Sequence, residues 1–169
     1  IRPERDDKIL ADWNGLMISA LAHAGTLMRR HDWLDVAENA FAFITNQMVD
    51  NKHRLYHSWK DQKARHAGLL EDYTNMMLAA IRLYAAGRGD DYLQWVHRWA
   101  DIVESGFKDS VQGAYYQTGS NSQDVILRAK PVNYAATPTG NGQIAHIFAE
   151  MAMIEPHGQW RERLQEHLT

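Results

Sequence analysis

Carboxylate, amide and aromatic side chains recur at the starts of three apolar stretches of this chain. The set comprises Trp13, Asn14, Glu71, Asp72, Tyr73 and Asn141. Aromatic faces pack on the C–H groups of a sugar ring, while carboxylates and amides bond its hydroxyls. This combination indicates a carbohydrate site in which Glu71 and Asp72 are the candidate catalytic residues. The other four are the candidate substrate-binding residues.

The two adjacent acids cannot both act on one substrate. Hydrolysis of a glycoside uses two carboxyl groups about 5 to 9.5 Å apart. Neighbours on a helix point about 100° apart, so at most one of Glu71 and Asp72 faces a shared cavity. A structural alternative stays open for Asp72, because an acid in the first turn complements the helix dipole. Trp13 and Tyr73 have the alternative of packing in the core.

A sequence repeat places these residues on equivalent elements. Shifting the chain by about 60 residues superimposes Leu16-Met17 on Met76-Met77, and a third copy begins at Asn141-Gly142. A repeat of this length is a supersecondary unit that buries its apolar face against its neighbours. The candidate site residues then fall at the N-terminal ends of three inner helices, where they form one rim.

The apolar periodicity predicts six helices in an all-α fold. Their predicted spans are 13–30, 33–49, 69–86, 92–107, 140–155 and 160–168. The first helix carries apolar residues on nearly every side and is expected to be buried nearly all round. The second carries a narrower stripe and is expected to face water on its other side. A short strand is predicted at 55–59, and a β-hairpin near Tyr115 and Leu127, where 113–118 and 125–128 flank a turn.

Alternation of broadly apolar and amphipathic helices predicts helical hairpins in two concentric layers. Residues 1–169 then form a single helical domain of about three hairpins, which is half of a closed ring. Leu16, Leu21 and Phe148 are expected to be exposed at the two open edges. A second copy of the chain could cover these edges, as could the remainder of a longer chain, which the missing initiator Met and the helical C-terminus suggest.

The composition excludes several classes of function. The 169 residues carry a net charge of −3 with scattered Lys and Arg, which argues against a nucleic-acid partner. The longest apolar run, 15–22, is too short to cross a membrane. The chain has no Cys, so it has no disulfides or thiolate sites, and the cytoplasm is the expected compartment. The sequence pattern places no acidic residue as a further metal ligand beside His53 and His57. We therefore predict no metal site and no cofactor.

Several motifs together resemble a known family, the YyaL-like, spermatogenesis-associated thioredoxin-domain proteins. The motifs are Asp6-Asp7-Lys8, Trp13-Asn14-Gly15-Leu16, Leu70-Glu71-Asp72-Tyr73, Leu83-Tyr84, Gly113 to Thr118, Arg128, Lys130 and Pro138-Thr139-Gly140-Asn141. The resemblance implies an (α/α)6 toroid similar to six-hairpin glycosidases and N-acylglucosamine 2-epimerases. The family's thioredoxin part has no counterpart here.

The resemblance implies a sugar-processing domain, a glycosidase or an epimerase, with a carbohydrate ligand at the rim. One departure favours a different function. Where the family usually has Asp-Gly-Ala, this chain has Tyr134-Ala135-Ala136, so an acid is missing. The alternative is a non-catalytic helical scaffold or interaction domain with a vestigial cavity.

Overall fold

A computed structural model describes residues 6–122, 125–131 and 137–168. The described elements are β1 (Ile9–Leu10), α1 (Ala11–Leu27), α2 (His31–Gln47), β2 (Tyr56–Lys60), β3 (Lys63–Ala67), α3 (Leu70–Ala85), α4 (Asp91–Gly106), α5 (Gly140–Ile154) and α6 (Trp160–Leu168). Each predicted helix is present, with ends that differ by a few residues. The departure from the family pattern at Tyr134, Ala135 and Ala136 lies outside the described residues.

The helices form two layers of hairpins, as the repeat predicts. Helix α3 packs against both α1 and α5, while α2, α4 and α6 each pack on the preceding helix of the inner row. Most of the 16 residues of α3 are buried, because helices flank it on several sides. The core between the layers includes Trp99, Phe148 and Trp160. In the described part of the chain, no helix is long and apolar enough to cross a membrane.

Helix α1 is not buried on nearly every side, so this expectation was wrong. Trp13, Met17 and Leu27 are 63%, 59% and 71% exposed. The side of α1 that faces α3 and α2 is buried, and the opposite side has no neighbouring hairpin among the described residues. Phe148 was also expected to be exposed, but it is fully buried beside Trp160, with ring centroids 5.9 Å apart. Leu16 and Leu21 are partly buried.

The small β-structure lies at a different place from the predicted hairpin. Strands β1, β2 and β3 form an antiparallel sheet, and the predicted strand at 55–59 corresponds to β2. Asp61 and Gln62 form the tight turn, and both have positive φ (51° and 58°). Such turns favour Gly at the second position. Because Gln62 occupies that position, the sequence carried no signal for a tight hairpin turn here. The described residues of 113–128 form no strand. There, Tyr115 makes an isolated bridge with Lys108.

Candidate functional site at the inner-helix rim

The N-terminal ends of α1, α3 and α5 meet at one rim, as the repeat predicts. Asp72 Oδ1 accepts a hydrogen bond from the backbone N–H of Asp12 at 2.9 Å, which joins α3 to α1. Glu71 Oε1 accepts from the N–H of Gly140 at 3.4 Å, which joins α3 to α5. Two successive acids on one helix therefore point to different neighbours, as expected from their angular separation.

Asp72 is fully buried and holds several segments together. Its Oδ2 accepts a 2.7 Å hydrogen bond from the N–H of Leu69, which caps its own helix. The Asp12 amide is the second backbone donor, and the ring of His57 on β2 is a third partner. A carboxylate in this position satisfies free amides at two helix starts. Asp72 consequently has no surface for direct contact with a ligand.

His57 is a site residue that the sequence did not assign. Its Nδ1 lies 3.0 Å from Oδ2 and 3.1 Å from Oδ1 of Asp72, and its side chain is 27% exposed. The hydrogen bond to Asp72 raises the pKa of His57 above 6.5, while burial raises the pKa of Asp72 from 3.8 to about 6. The two residues are 15 positions apart and on different elements, so no local pattern links them.

The His57–Asp72 pair gives a pH prediction. Both folded-state pKa values exceed the unfolded ones, so the pair contributes stability in acid that is lost as pH rises through those values. The imidazole of His57, followed by NMR, is expected to titrate above pH 6.5, and Asp72→Asn should lower its midpoint. The melting-temperature advantage of wild type over this variant should shrink between about pH 4 and 8. An unchanged His57 midpoint in Asp72→Asn would contradict the pairing.

Three potential metal ligands meet in this region, although the sequence predicted no metal site. Ligand atoms of Asp12, His57 and Asp72 lie within 4.8 Å of one another. Asp72 already accepts hydrogen bonds from two backbone amides and faces the His57 ring. These contacts account for the cluster without an ion.

Glu71 borders a small cleft at the rim. The cleft has a volume of about 200 Å³, and its polar lining includes Asp12, Gln117, Thr137 and Thr139. Glu71 Oε2 is buried and accepts no hydrogen bond from any residue in the described ranges. A buried carboxylate oxygen without a donor is costly. Glu71 is only partly buried and lines the cleft, so a rotation of its carboxylate would turn Oε2 toward a ligand hydroxyl, which could supply the missing bond.

Trp13 lies in a shallow hollow of about 380 Å³ next to this cleft, and Thr137 lines both. Leu16, Met17 and Ala20 form the rest of the hollow. The indole is therefore a surface group and not a core aromatic. An exposed ring beside a polar cleft is the arrangement in which an aromatic residue stacks on a sugar.

The other three predicted binding residues make hydrogen bonds within the protein. Asn14 Nδ2 donates to the carbonyl of Leu10 at 2.8 Å. Asn141 accepts from the N–H of Tyr115 and donates to its carbonyl, at 2.8 and 2.9 Å. The hydroxyl of Tyr73 accepts a hydrogen bond from the N–H of Leu55 at 3.0 Å. Tyr73 and Asn141 thus hold loop residues against helix starts, while Asn14 bonds back to the end of β1.

Tyr73 also borders a separate and larger cavity of about 430 Å³. Arg54, Phe107 and Asn121 are among its other lining residues. This cavity lies between the chain that follows α2 and the end of α4. It is a distinct alternative to the rim cleft for binding a small molecule. The Arg54 guanidinium in this cavity is already paired with Asp50, at 2.7 Å.

Comparison with solved structures shows the same architecture in carbohydrate enzymes. A cellobiose 2-epimerase from Spirochaeta thermophila superimposes with a TM-score of 0.76 at 15% identity, covering 97% of this chain and 43% of that one. A GH76 α-mannanase from Bacteroides thetaiotaomicron gives a TM-score of 0.73 at 17% identity, covering 98% and 44%. These likenesses establish a six-hairpin toroid fold, of which this chain supplies slightly less than half.

Curated sequence relatives confirm the resemblance found in the motifs. Spermatogenesis-associated protein 20 of Rattus norvegicus is 29% identical over 168 residues, which is 94% of this chain and 21% of the relative. The chain thus spans about a fifth of that relative's length. Residues 10–148 match the N-acylglucosamine 2-epimerase family. Because this match covers most of the sequence, the chain belongs to the N-acylglucosamine 2-epimerase family.

Proposed function

We propose that this chain forms one wall of a carbohydrate-binding cleft at the N-terminal rim of α1, α3 and α5. Family membership and the sugar enzymes among its structural neighbours support a sugar as the ligand class. The observation that carries the proposal is the buried Glu71 Oε2, which has no hydrogen-bond donor among the described residues and borders the cleft. A sugar hydroxyl supplies the donor that this oxygen needs.

Each rim residue has a separate role in the proposal. The exposed Trp13 ring stacks on the sugar, while Glu71 and Asp12 accept its hydroxyl hydrogens. Glu71 is also the candidate group for removing the C–H proton of the sugar in an epimerisation, and a second group on the opposite face must return a proton for the stereocentre to invert. Asp72 is a positioning residue, because it fixes the starts of α1 and α3 and the ring of His57.

Thermal unfolding with added sugar tests this proposal. Cellobiose, N-acetylglucosamine and mannose are suitable probes, since the relatives act on related compounds by their names. At about 100 times its dissociation constant, a sugar that binds only the folded chain stabilises it by about 2.7 kcal/mol. We expect one of the three to raise the melting temperature, and Trp13→Ala and Glu71→Gln each to remove most of that rise.

Matched controls separate binding from general damage. Trp33→Ala removes a partly exposed indole from the start of α2, and Glu162→Gln neutralises an exposed acid on α6. Both variants should retain the sugar response. Equal responses from wild type and from both rim variants would contradict the proposed site.

A scaffold function without catalysis is the second candidate. The observation in its favour is that the side chains of Asn14, Asp72 and Asn141 all make hydrogen bonds with backbone groups of the protein. These contacts hold the helix starts in place without any ligand. A scaffold predicts no response to any of the three sugars, in the wild type as in the Glu71→Gln variant.

A further inference from the structure

The larger cavity beside Tyr73 has a buried apolar floor and a basic mouth. Leu55, Tyr73 and Phe107 form the floor and are almost completely buried. The rings of Tyr73 and Phe107 pack edge to face, with centroids 5.3 Å apart. Lys52 and Arg54 lie at the mouth, where both are exposed. The volume of about 430 Å³ suits a small molecule, to which this cavity offers both an apolar surface and positive charge.

The charged residues that line this cavity leave one positive charge without a counter-charge. Arg54 Nη2 lies 2.7 Å from Oδ2 of Asp50, and the backbone amides of Lys52 and Arg54 also donate to this carboxylate. Although burial favours the neutral form of Asp50, these hydrogen bonds lower its pKa below 3.8, so it stays ionised at neutral pH. Among the described residues, the ammonium group of Lys52 has no acidic partner. Lys52 is therefore available to an anion.

Tyr73 adds a buried hydrogen-bond donor to this cavity. Its hydroxyl oxygen accepts a hydrogen bond from the N–H of Leu55 at 3.0 Å. Its own O–H hydrogen has no acceptor within the ranges that the structure describes. Burial raises the pKa of Tyr73 to about 12, so the phenol keeps this hydrogen at neutral pH. Because a buried donor without an acceptor is costly, an oxygen atom of a ligand would be favoured beside it.

The carbonyl end of α4 also borders the cavity, but its partial negative charge is offset. The carbonyl of Gly106 accepts a hydrogen bond from the N–H of Ser120 at 2.8 Å and another from Arg128 Nη2 at 2.9 Å. A cation at this position compensates the dipole of the helix C-terminus. With Asp50 paired to Arg54, the described lining of the cavity has no uncompensated carboxylate.

We propose that this cavity binds an aromatic monocarboxylate, with its carboxylate at Lys52 and the Tyr73 hydroxyl and its ring against Phe107. A single negative charge matches the one positive charge without a counter-charge, and a flat apolar ring matches the buried floor. The rim cleft does not suit such a ligand, because the carboxylates of Asp12 and Glu71 line it. The cavity is thus a second site, for a ligand class different from the sugar of the proposed function.

An NMR titration of the isotope-labelled chain with benzoate tests the proposal, with benzamide and acetate as matched ligands at constant ionic strength. Benzamide keeps the ring without the charge, and acetate keeps the charge without the ring. We expect benzoate to shift the amides of Leu55, Gly68 and Phe107 in a saturable way, and the other two compounds to bind about tenfold more weakly. The rim amides of Glu71 and Thr139 should not shift.

Two variants remove the charge and the phenol separately. Lys52→Gln and Tyr73→Phe should each raise the dissociation constant for benzoate about tenfold, since each removes a hydrogen bond to a carboxylate. Lys63→Gln and Tyr84→Phe are the matched controls, because Lys63 is exposed on β3, Tyr84 is partly exposed near the end of α3, and neither lines the cavity. Both control variants should bind benzoate as the wild type does.

Equal binding of benzoate and benzamide would overturn the proposal, because the cavity would then select a ring and not an anion. Benzoate titrations without saturable shifts, or unchanged benzoate binding in Lys52→Gln, would also overturn it. Circular dichroism checks that the variants keep the helical fold. Lys52 is exposed, so its variant keeps the test decisive even if Tyr73→Phe unfolds. None of the three probes is a sugar, so each result is independent of the proposed function.

Discussion

Gly15→Ala is expected to destabilise the chain by about 3 kcal/mol, because overpacking a tight helix contact has costs of this size. A Cβ atom at Gly15 would lie 2.7 Å from the backbone carbonyl carbon of Asn75 on α3. Backbone cannot rotate away as a side chain can, so α1 and α3 must separate. Urea unfolding followed by circular dichroism measures the loss.

Gly106→Ala is the matched control for this change. Gly106 is the last residue of α4, and a Cβ built there meets nothing within 4 Å. Alanine costs less conformational entropy than glycine in a helix, so this variant should be neutral or more stable by up to about 1 kcal/mol. Equal stability of Gly15→Ala and wild type would show that α1 and α3 are not in close contact.

Asp72→Ala is expected to cost about 3 kcal/mol or more at neutral pH. The substitution leaves the amides of Asp12 and Leu69 without an acceptor, and each buried unsatisfied donor costs about 1 to 3 kcal/mol. It also removes the partner of His57. The free energy of unfolding from urea titration gives the magnitude.

Asp90→Ala provides the comparison for the loss of an acid near a helix start. Asp90 precedes α4, is exposed and makes no side-chain capping bond. Its replacement should change stability by less than about 0.5 kcal/mol. A similar small change for Asp72→Ala would mean that the junction of α1, α3 and β2 does not depend on this carboxylate.

The sequence was sufficient for the helices and their order because apolar periodicity is a local signal. The repeat also identified the rim, since equivalent positions in a repeat occupy equivalent places in the ring. The hairpin at 56–67 was missed because Asp61 and Gln62 adopt positive φ without a glycine. The exposed side of α1 was missed for another reason: apolar residues look the same in sequence whether a neighbour is present or absent.

The details of the site depend on contacts between distant parts of the chain. The pairing of His57 with Asp72 joins a strand to a helix, and no residue spacing predicts it. Asn14 and Asn141 were chosen for amide groups that a sugar could bind, but the nearest partners of those groups are backbone atoms. Glu71 remains the predicted catalytic residue, and its Oε2 at the cleft has no hydrogen-bond donor among the described residues.

The most direct test of the carbohydrate-binding rim is an NMR titration of the isotope-labelled chain with cellobiose, N-acetylglucosamine and mannose. We predict that one of them shifts the indole signal of Trp13 and the amides of Asp12, Glu71 and Thr139, and that Glu71→Gln weakens this effect. Shifts confined to the larger cavity at Arg54, Tyr73 and Phe107, or no shifts with any of the sugars, would contradict the proposal.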